Sequence, residues 1–405
     1  MKKIFAIVAV ALAARAAAYA QVTPAANAGP ARFGWSLNYA QTAEFGAGLG
    51  DSQTANANGS VHYSSGFERA PFSVAYSGGY TWTLAGPDYS PGYFQHVLAS
   101  QTLRWRKFQI SISDNVSFLP QAPITGFAGV AGTGQPVEPN PAPGSDQNIL
   151  TLKTRSIDNF LDGSFRDRLS LATSINASGG WGILRYPDGN GIGLNSESGT
   201  VGLSQRLNAR MTIIGNFAYS QFSYPGYDLS LHSYTAFGGF NRTWNRKLST
   251  NFSGGPQWAG GSNSAQIPSS INFAINADAS YSLRHLSMNG IYTRGVSGGE
   301  GYLFGAHTDV VSGSLSRGFG RHPLSIGVMG SYRRVASLNG GGAIDSEDIG
   351  AQASRRIGTH LNIFAAYTVI NQGINGALPS NVLGTALQAV TFGFGFAPRE
   401  SRIVR

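Results

Sequence analysis

From Ile271 to Leu283 the chain alternates without a break. Ile271, Phe273, Ile275, Ala277, Ala279, Tyr281 and Leu283 fall on one side, and Asn272, Ala274, Asn276, Asp278, Ser280 and Ser282 on the other. Lys247 opens a second such run: Leu248, Thr250, Phe252, Gly254, Pro256 and Trp258 oppose Ser249, Asn251, Ser253, Gly255 and Gln257. A period of two is the signature of a β-strand, because successive side chains point to opposite faces. Runs of this length are about twice the five or six residues usual in soluble sheets. They match the roughly 9 to 11 residues that a tilted strand needs to cross a bilayer.

These runs recur. Basic residues come in clumps at Arg69, at Arg104, Arg106 and Lys107, at Arg166 and Arg168, at Arg206 and Arg210, and at Arg242, Arg246 and Lys247. The series continues through Arg284, Arg317 and Arg321, Arg355 and Arg356, and ends at Arg399 to Arg405. From Arg168 onward the spacing is roughly 35 to 42 residues, the interval of one long hairpin per repeat. Segments leaving the clumps share a local grammar of basic or turn residue, leucine, small polar residue: Arg168-Leu169-Ser170, Arg206-Leu207-Asn208, Lys247-Leu248-Ser249, His285-Leu286-Ser287, Pro323-Leu324-Ser325 and His360-Leu361-Asn362.

Composition narrows the setting. Only 12% of residues are charged, aromatics reach 11%, and there are 54 glycines and no cysteine. Lys2 and Lys3, the apolar run from Ile4 to Ala14, and the small-x-small Ala18-Tyr19-Ala20 read as a signal peptide over 1–20, cleaved before Gln21. The run is too short to anchor the chain, and Arg15 interrupts it. No later stretch approaches 18 continuous apolar residues, so no transmembrane helix is expected. Without Lys2, Lys3 and Arg15 the formal charge drops from +9 to +6, too little to imply nucleic acid.

A soluble β-sandwich or solenoid also alternates, but its apolar face turns inward to a shared core. Here the second face is small and polar, as a water-filled lumen requires. Open sheet edges are forbidden in a bilayer, so the expected fold is all-β, a closed antiparallel transmembrane barrel of 16 to 18 strands, with 18 preferred. Aromatics fall at two levels: Trp258, Tyr292, Tyr332 and Tyr367 late in rising strands, and Trp105, Phe108, Phe165 and Trp244 beside the basic clumps. Amphipathic rings at two levels suit the two headgroup zones.

The strands are expected near 32–42, 55–66, 72–84, 93–105, 107–119, 149–165, 168–180, 195–206, 209–222, 228–243, 247–258, 269–283, 285–296, 304–317, 323–335, 343–356, 359–371 and 385–397. The strand at 228–243 is irregular, because Tyr234, Phe237 and Phe240 do not share one parity. The organisation is then a signal peptide at 1–20, a short segment at 21–31, a barrel at 32–397 and a periplasmic tail at 398–405. An even strand count puts both barrel ends on one side, with short basic turns toward the periplasm and long linkers outside.

In this pattern the chain resembles porin-like outer-membrane β-barrel proteins of Gram-negative bacteria. The resemblance rests on strand pattern over nearly the whole mature chain and on no invariant motif. Val390, Phe392, Phe394 and Phe396 look like the C-terminal aromatic signal read by the barrel-assembly machinery, although Ala397 to Arg405 follow the last phenylalanine. The resemblance also implies a third external loop that folds into the pore. That loop is the proline-rich linker 119–148, where Glu138 and Asp146 would form a constriction opposite Lys153 and Arg155. The competing reading is a surface loop with no lumen contact.

Other lumen-facing candidates are Asn251, Asn272, Asn276, Asp278, Asn289, Arg333 and Asn362. They form no ring of one charge. His307 and Asp309 share a face, but Ser312 and Ser314 have the opposite parity, so no nucleophilic relay is legible on that strand. No metal-ligand spacing or phosphate loop is present, and neither a cofactor nor a metal is expected. The basic turns either bind anionic headgroups or simply solvate the strand ends. The leading expectation is a non-enzymatic outer-membrane channel for passive diffusion of small hydrophilic solutes. A non-conducting structural, adhesive or export-associated barrel is the alternative, and an outer-membrane hydrolase the minor one. Expected partners are outer-membrane lipid, the assembly machinery and small solutes, with a homo-oligomer left open.

Overall fold

The computed structural model describes residues 31–46, 50–86, 92–119, 149–150, 155–319, 324–376, 378, 382–398 and 401–403. The expected signal peptide and most of the proline-rich linker lie outside these residues.

The described chain is built of strands: β1 (Ala31–Gly46), β2 (Ser52–Ser64), β3 (Phe72–Ala85), β4 (Gly92–Arg104), β5 (Phe108–Leu119), β6 (Ser156–Arg168), β7 (Thr173–Arg185), β8 (Leu194–Asn208), β9 (Met211–Tyr224) and β10 (Leu229–Thr243). They continue as β11 (Leu248–Gly261), β12 (Ser270–Ser282), β13 (Leu286–Ser297), β14 (Ala306–Phe319), β15 (Leu324–Ser337), β16 (Gly342–Ile357), β17 (Leu361–Gly376), β18 (Ala386–Phe396) and the short β19 (Ser401–Ile403). Each of the first eighteen pairs antiparallel with its chain neighbours, and β18 pairs with β1, so the sheet closes into an 18-strand barrel. The preferred strand count is therefore the observed one.

Closure is made by ten residue pairs from Leu37↔Phe396 to Gly46↔Leu387. The hydroxyls of Thr42 and Thr391, 349 positions apart, meet across this seam at 2.9 Å. β19 extends it, pairing Ala31, Arg32 and Phe33 with Ile403, Arg402 and Ser401. The expectation ended the barrel at 397, so part of the segment assigned as tail adds a short strand to the wall.

Parity decides what each face carries. The outer face presents Ile271, Ile349 and Phe392, exposed by 74%, 64% and 63%. The inner face is small and polar, and the repeated leucine–serine step explains itself there. Leucine turns outward, serine turns inward, and the serine meets a second hydroxyl across the ladder. Such pairs join Ser36 to Ser60, Ser73 to Ser100, Ser174 to Ser204, Ser249 to Ser280, Ser287 to Ser316 and Ser325 to Ser354 at 2.6 to 2.8 Å. Each satisfies a polar group that would otherwise compete with the strand.

Six turns of two to four residues, after β4, β6, β8, β10, β12 and β16, lie at one end. The Asn245 side chain accepts from the backbone N–H groups of Lys247 and Leu248 at 2.8 and 2.9 Å, closing the turn after β10 as an Asx motif. Beside it the Arg242 guanidinium lies 3.7 Å over the Trp244 ring. The longer connections at 186–193, 262–269 and 298–305 gather at the opposite end.

Three local expectations are corrected. β6 begins at Ser156 rather than 149, because Ile149 and Leu150 leave the wall and are buried inside the long-loop end. β7 begins at Thr173 rather than 168, because Leu169 to Ala172 form a turn. In β10, Tyr234 and Phe240 face outward and Phe237 inward, so the alternation is kept. The ladder to β11 instead skips Ala236 and Phe237, the former opposite Pro256, which has no N–H to donate.

Candidate functional site: the inner wall and the long-loop mouth

The inner wall is mostly hydroxyl and amide. Strand parity puts Asn251, Asn272, Asn276, Asp278, Asn289, Arg333 and Asn362 on this face. Asn251 stands opposite Asp278, Asn289 opposite Ser280, and Asn362 opposite Arg356. Asn272 donates to Ser270 Oγ at 2.9 Å. Arg104, Arg166 and Arg356 turn inward beside the short turns, whereas Glu44, Asp158 and Asp348 turn inward toward the long loops.

The long-loop mouth is filled from within. Leu184, Tyr186, Leu194, Phe222, Tyr224, Leu231, Ile267, Tyr302 and Ile344 form one buried apolar cluster that Ile149 and Val382 join. Its keystone is the 298–305 loop. Gly299, Glu300, Gly301 and Gly305 take left-handed backbone conformations, with φ of 81°, 56°, 81° and 78°. This lets Tyr302 and Leu303 both donate to Gly299 O at 3.0 Å, folding the loop back on itself. A Cβ on Gly301 would stand 2.1 Å from the Tyr186 hydroxyl, so glycine is required there. Across the barrel, Ile192 N donates to Gly301 O at 2.6 Å, tying the 186–193 connection to this loop. Tyr224 donates its hydroxyl to Gly298 O at 3.2 Å.

A second tie lies at β17. The Gln372 side chain accepts from Leu150 N at 2.8 Å and donates to Leu150 O and Leu383 O at 3.0 and 2.6 Å. Leu150 is thereby held against β17.

Beneath the loop sits a buried polar group. Arg333 Nη1 donates to Glu300 Oε2 at 3.1 Å, with the two side chains only 3% and 7% exposed. Ser331 donates to Asp348 at 2.6 Å in the adjoining row. Two atoms here are buried without a hydrogen-bond partner, Arg333 Nε and Ser312 Oγ.

Of the expected constriction residues, Glu138, Asp146 and Lys153 lie outside the described residues. Arg155 meets Asp188 of the 186–193 connection, through Nε at 2.9 Å and Nη2 at 2.6 Å. That hydrogen bonding holds the Asp188 carboxyl below its ordinary range and raises Arg155 above its own. Glu300 was missed by sequence reasoning. Its signal was a lone acid inside Gly298-Gly299-Glu300-Gly301, followed by Tyr302, Leu303 and Phe304.

Val390, Phe392, Phe394 and Phe396 face outward on β18, where Phe394 and Phe396 lie 5.6 and 5.7 Å from Tyr39 and Trp35 of β1. On β14, Asp309 accepts from the Tyr292 hydroxyl at 3.1 Å and faces Arg294 at 3.7 Å. His307 shares that outer face while Ser312 is on the inner one, so this strand assembles no relay. Among the described residues no three metal-ligating side chains converge.

No family model and no curated protein matches the chain. Solved structures similar to it include Acinetobacter baumannii OccAB4, at 10% identity and a TM-score of 0.49, over 93% of this chain and 100% of that one. Pseudomonas aeruginosa OccK2 (OpdF) in complex with glucuronate is similar at 12% identity and a TM-score of 0.48, over 91% and 99%. Pseudomonas aeruginosa OpdQ is similar at 11% identity and a TM-score of 0.43, over 91% and 98%. What the chain's own geometry establishes is its class, a closed antiparallel β-barrel of eighteen strands, apolar outside and polar within.

Proposed function

We propose that this protein is an outer-membrane channel for small hydrophilic solutes, with the short-turn end and both barrel ends in the periplasm and the long loops outside. One observation carries the reading: the two faces of a single closed wall are chemically opposite. Large apolar side chains such as Ile271, Ile349 and Phe392 cover the outside, while paired serine hydroxyls line the inside. An exterior of that kind suits lipid and is untenable in water. A ring of this many strands leaves an interior that side chains alone do not fill. Hydroxyls without a dominant charge suit neutral or weakly charged polar solutes over ions of one sign.

The buried cluster across the long-loop mouth supports a second reading, a barrel that is closed at rest or serves as a non-conducting scaffold. Planar-bilayer recording separates the two. A channel gives stepwise conductance. Silence from protein that keeps its heat-dependent gel mobility, including after removal of 298–305, would reject the channel reading.

A further inference from the structure

We propose that the Glu300 carboxylate is a tethered occupant of an anion site built by Arg333, and that a small carboxylate-bearing molecule competes for that site and releases the 298–305 loop from the mouth. This rests on the channel reading and adds its regulation.

Three observations converge. The first is the backbone. Glu300 is one of only two described non-glycine residues with positive φ, and it lies between two left-handed glycines. A side chain in that conformation costs free energy that something else must offset. Here the offset comes from where the carboxylate lands, 3.1 Å from a guanidinium that is itself almost fully buried.

The second is what the guanidinium leaves undone. Arginine matches a carboxylate best through two parallel N–H donors. Only Nη1 meets Glu300, and Nε is buried with no partner. Ser312 Oγ, one row away on the neighbouring strand, is equally buried and unpartnered. Buried donors left unmade are costly, so the tethered acid satisfies this site poorly. A free carboxylate, able to choose its approach, can use the fork more fully.

The third is the consequence of leaving. Glu300 carries the segment whose Tyr302 closes the apolar cluster, whose Leu303 packs on Ala306 and Val335, and whose Gly301 holds the 186–193 connection. Displacing one acid therefore withdraws the element that ties two opposite sides of the mouth together. A ligand shifts such an equilibrium only by binding one state better, and the open state is the one in which Glu300 has left Arg333.

The test is conductance in planar bilayers at constant ionic strength, with sodium chloride replaced stepwise by sodium acetate. Acetate is the less mobile anion, so the exchange alone lowers current. For the wild type the expected result is a rise in open-state occupancy of at least about fivefold, the lower range of common coupling energies. Glu300→Ala is expected to conduct in chloride as the wild type does in acetate, and to respond to acetate by less than about twofold. Arg333→Gln should open likewise and lose the response. A wild type indifferent to acetate overturns the proposal without any variant. So does a Glu300→Ala protein that folds, by its gel mobility, and gates like the wild type. If every form conducts equally, the latch fails and the channel stands; if every folded form is silent, the channel reading fails first.

Discussion

Arg333 of β15 and Glu300 of the 298–305 loop meet at 3.1 Å inside the barrel, and neither side chain has appreciable access to solvent. Removing one partner of such a pair strands the other, at a cost of about 3 kcal/mol or more, whereas replacing both with apolar groups is often neutral. Arg333→Met is therefore expected to weaken protection of the Tyr302 and Leu303 amides against hydrogen exchange by about a hundredfold. Arg333→Met combined with Glu300→Leu should restore most of it. Equal losses in the single and double variants would show that the two charges are not coupled.

The inner and outer faces make a parity test of the pore. Ser287 points into the lumen and its neighbour Met288, 41% exposed, points away. Ser287→Trp is expected to reduce single-channel conductance measurably, and Met288→Trp to leave it unchanged. Equal effects from both would contradict the assignment of the aqueous side.

Two adjacent glycines of β10 should behave oppositely. A Cβ on Gly239 would stand 2.2 Å from the Phe252 carbonyl oxygen, but one on Gly238 meets nothing within 4 Å. Gly239→Ala is expected to destabilise by about 1 to 3 kcal/mol in urea unfolding, as backbone must move to admit the methyl group. Gly238→Ala should be neutral or slightly stabilising, because alanine lowers the entropy of the unfolded chain. A Gly239→Ala barrel as stable as the wild type would count against the close approach of β10 and β11.

The Arg155–Asp188 pair sets a pH dependence with a definite sign. Asp188 titrates below the ordinary 3.8 because Arg155 hydrogen-bonds its carboxylate. Its contribution is complete above that ordinary value and disappears as pH falls through the lowered one. Carboxyl titration by NMR should find Asp188 below 3.8 in the wild type and back near 3.8 in Arg155→Gln. A wild-type Asp188 titrating at its ordinary value would remove the clip.

Much of this architecture was legible because strand parity is local. Ile271 to Leu283 declares both of its faces with no knowledge of its neighbours, and the Lys247-Leu248-Ser249 step marks both a turn and the side the lumen is on. The mouth was illegible for the complementary reason. Tyr302 and Ile267 sit in connections with no period, so nothing along the chain says that they share one buried cluster. Ile149 and Leu150 misled for a related reason, since a short apolar run looks the same whether it joins a wall or fills a cavity. Glu300 acquires meaning only beside Arg333, 33 positions away and on another element. Phe237 and Phe240 looked like a defect until three-dimensional pairing placed one on each face.

The seam between Thr42 and Thr391 has a bearing on how the molecule comes into being. Nearly every other ladder joins segments that are neighbours in time as well as in space, and each can form as soon as its hairpin is made. This one must wait for β18 and then close a loop of 349 positions. The entropy of that closure grows only with the logarithm of its length, so distance is not the main obstacle. The obstacle is that β1 and β18 are both bare edges until they find one another, and bare edges recruit other chains. The outward aromatic pairs Trp35–Phe396 and Tyr39–Phe394 sit on this line. They can begin to associate before the backbone ladder is complete, which makes the first and last strands each other's protection during assembly.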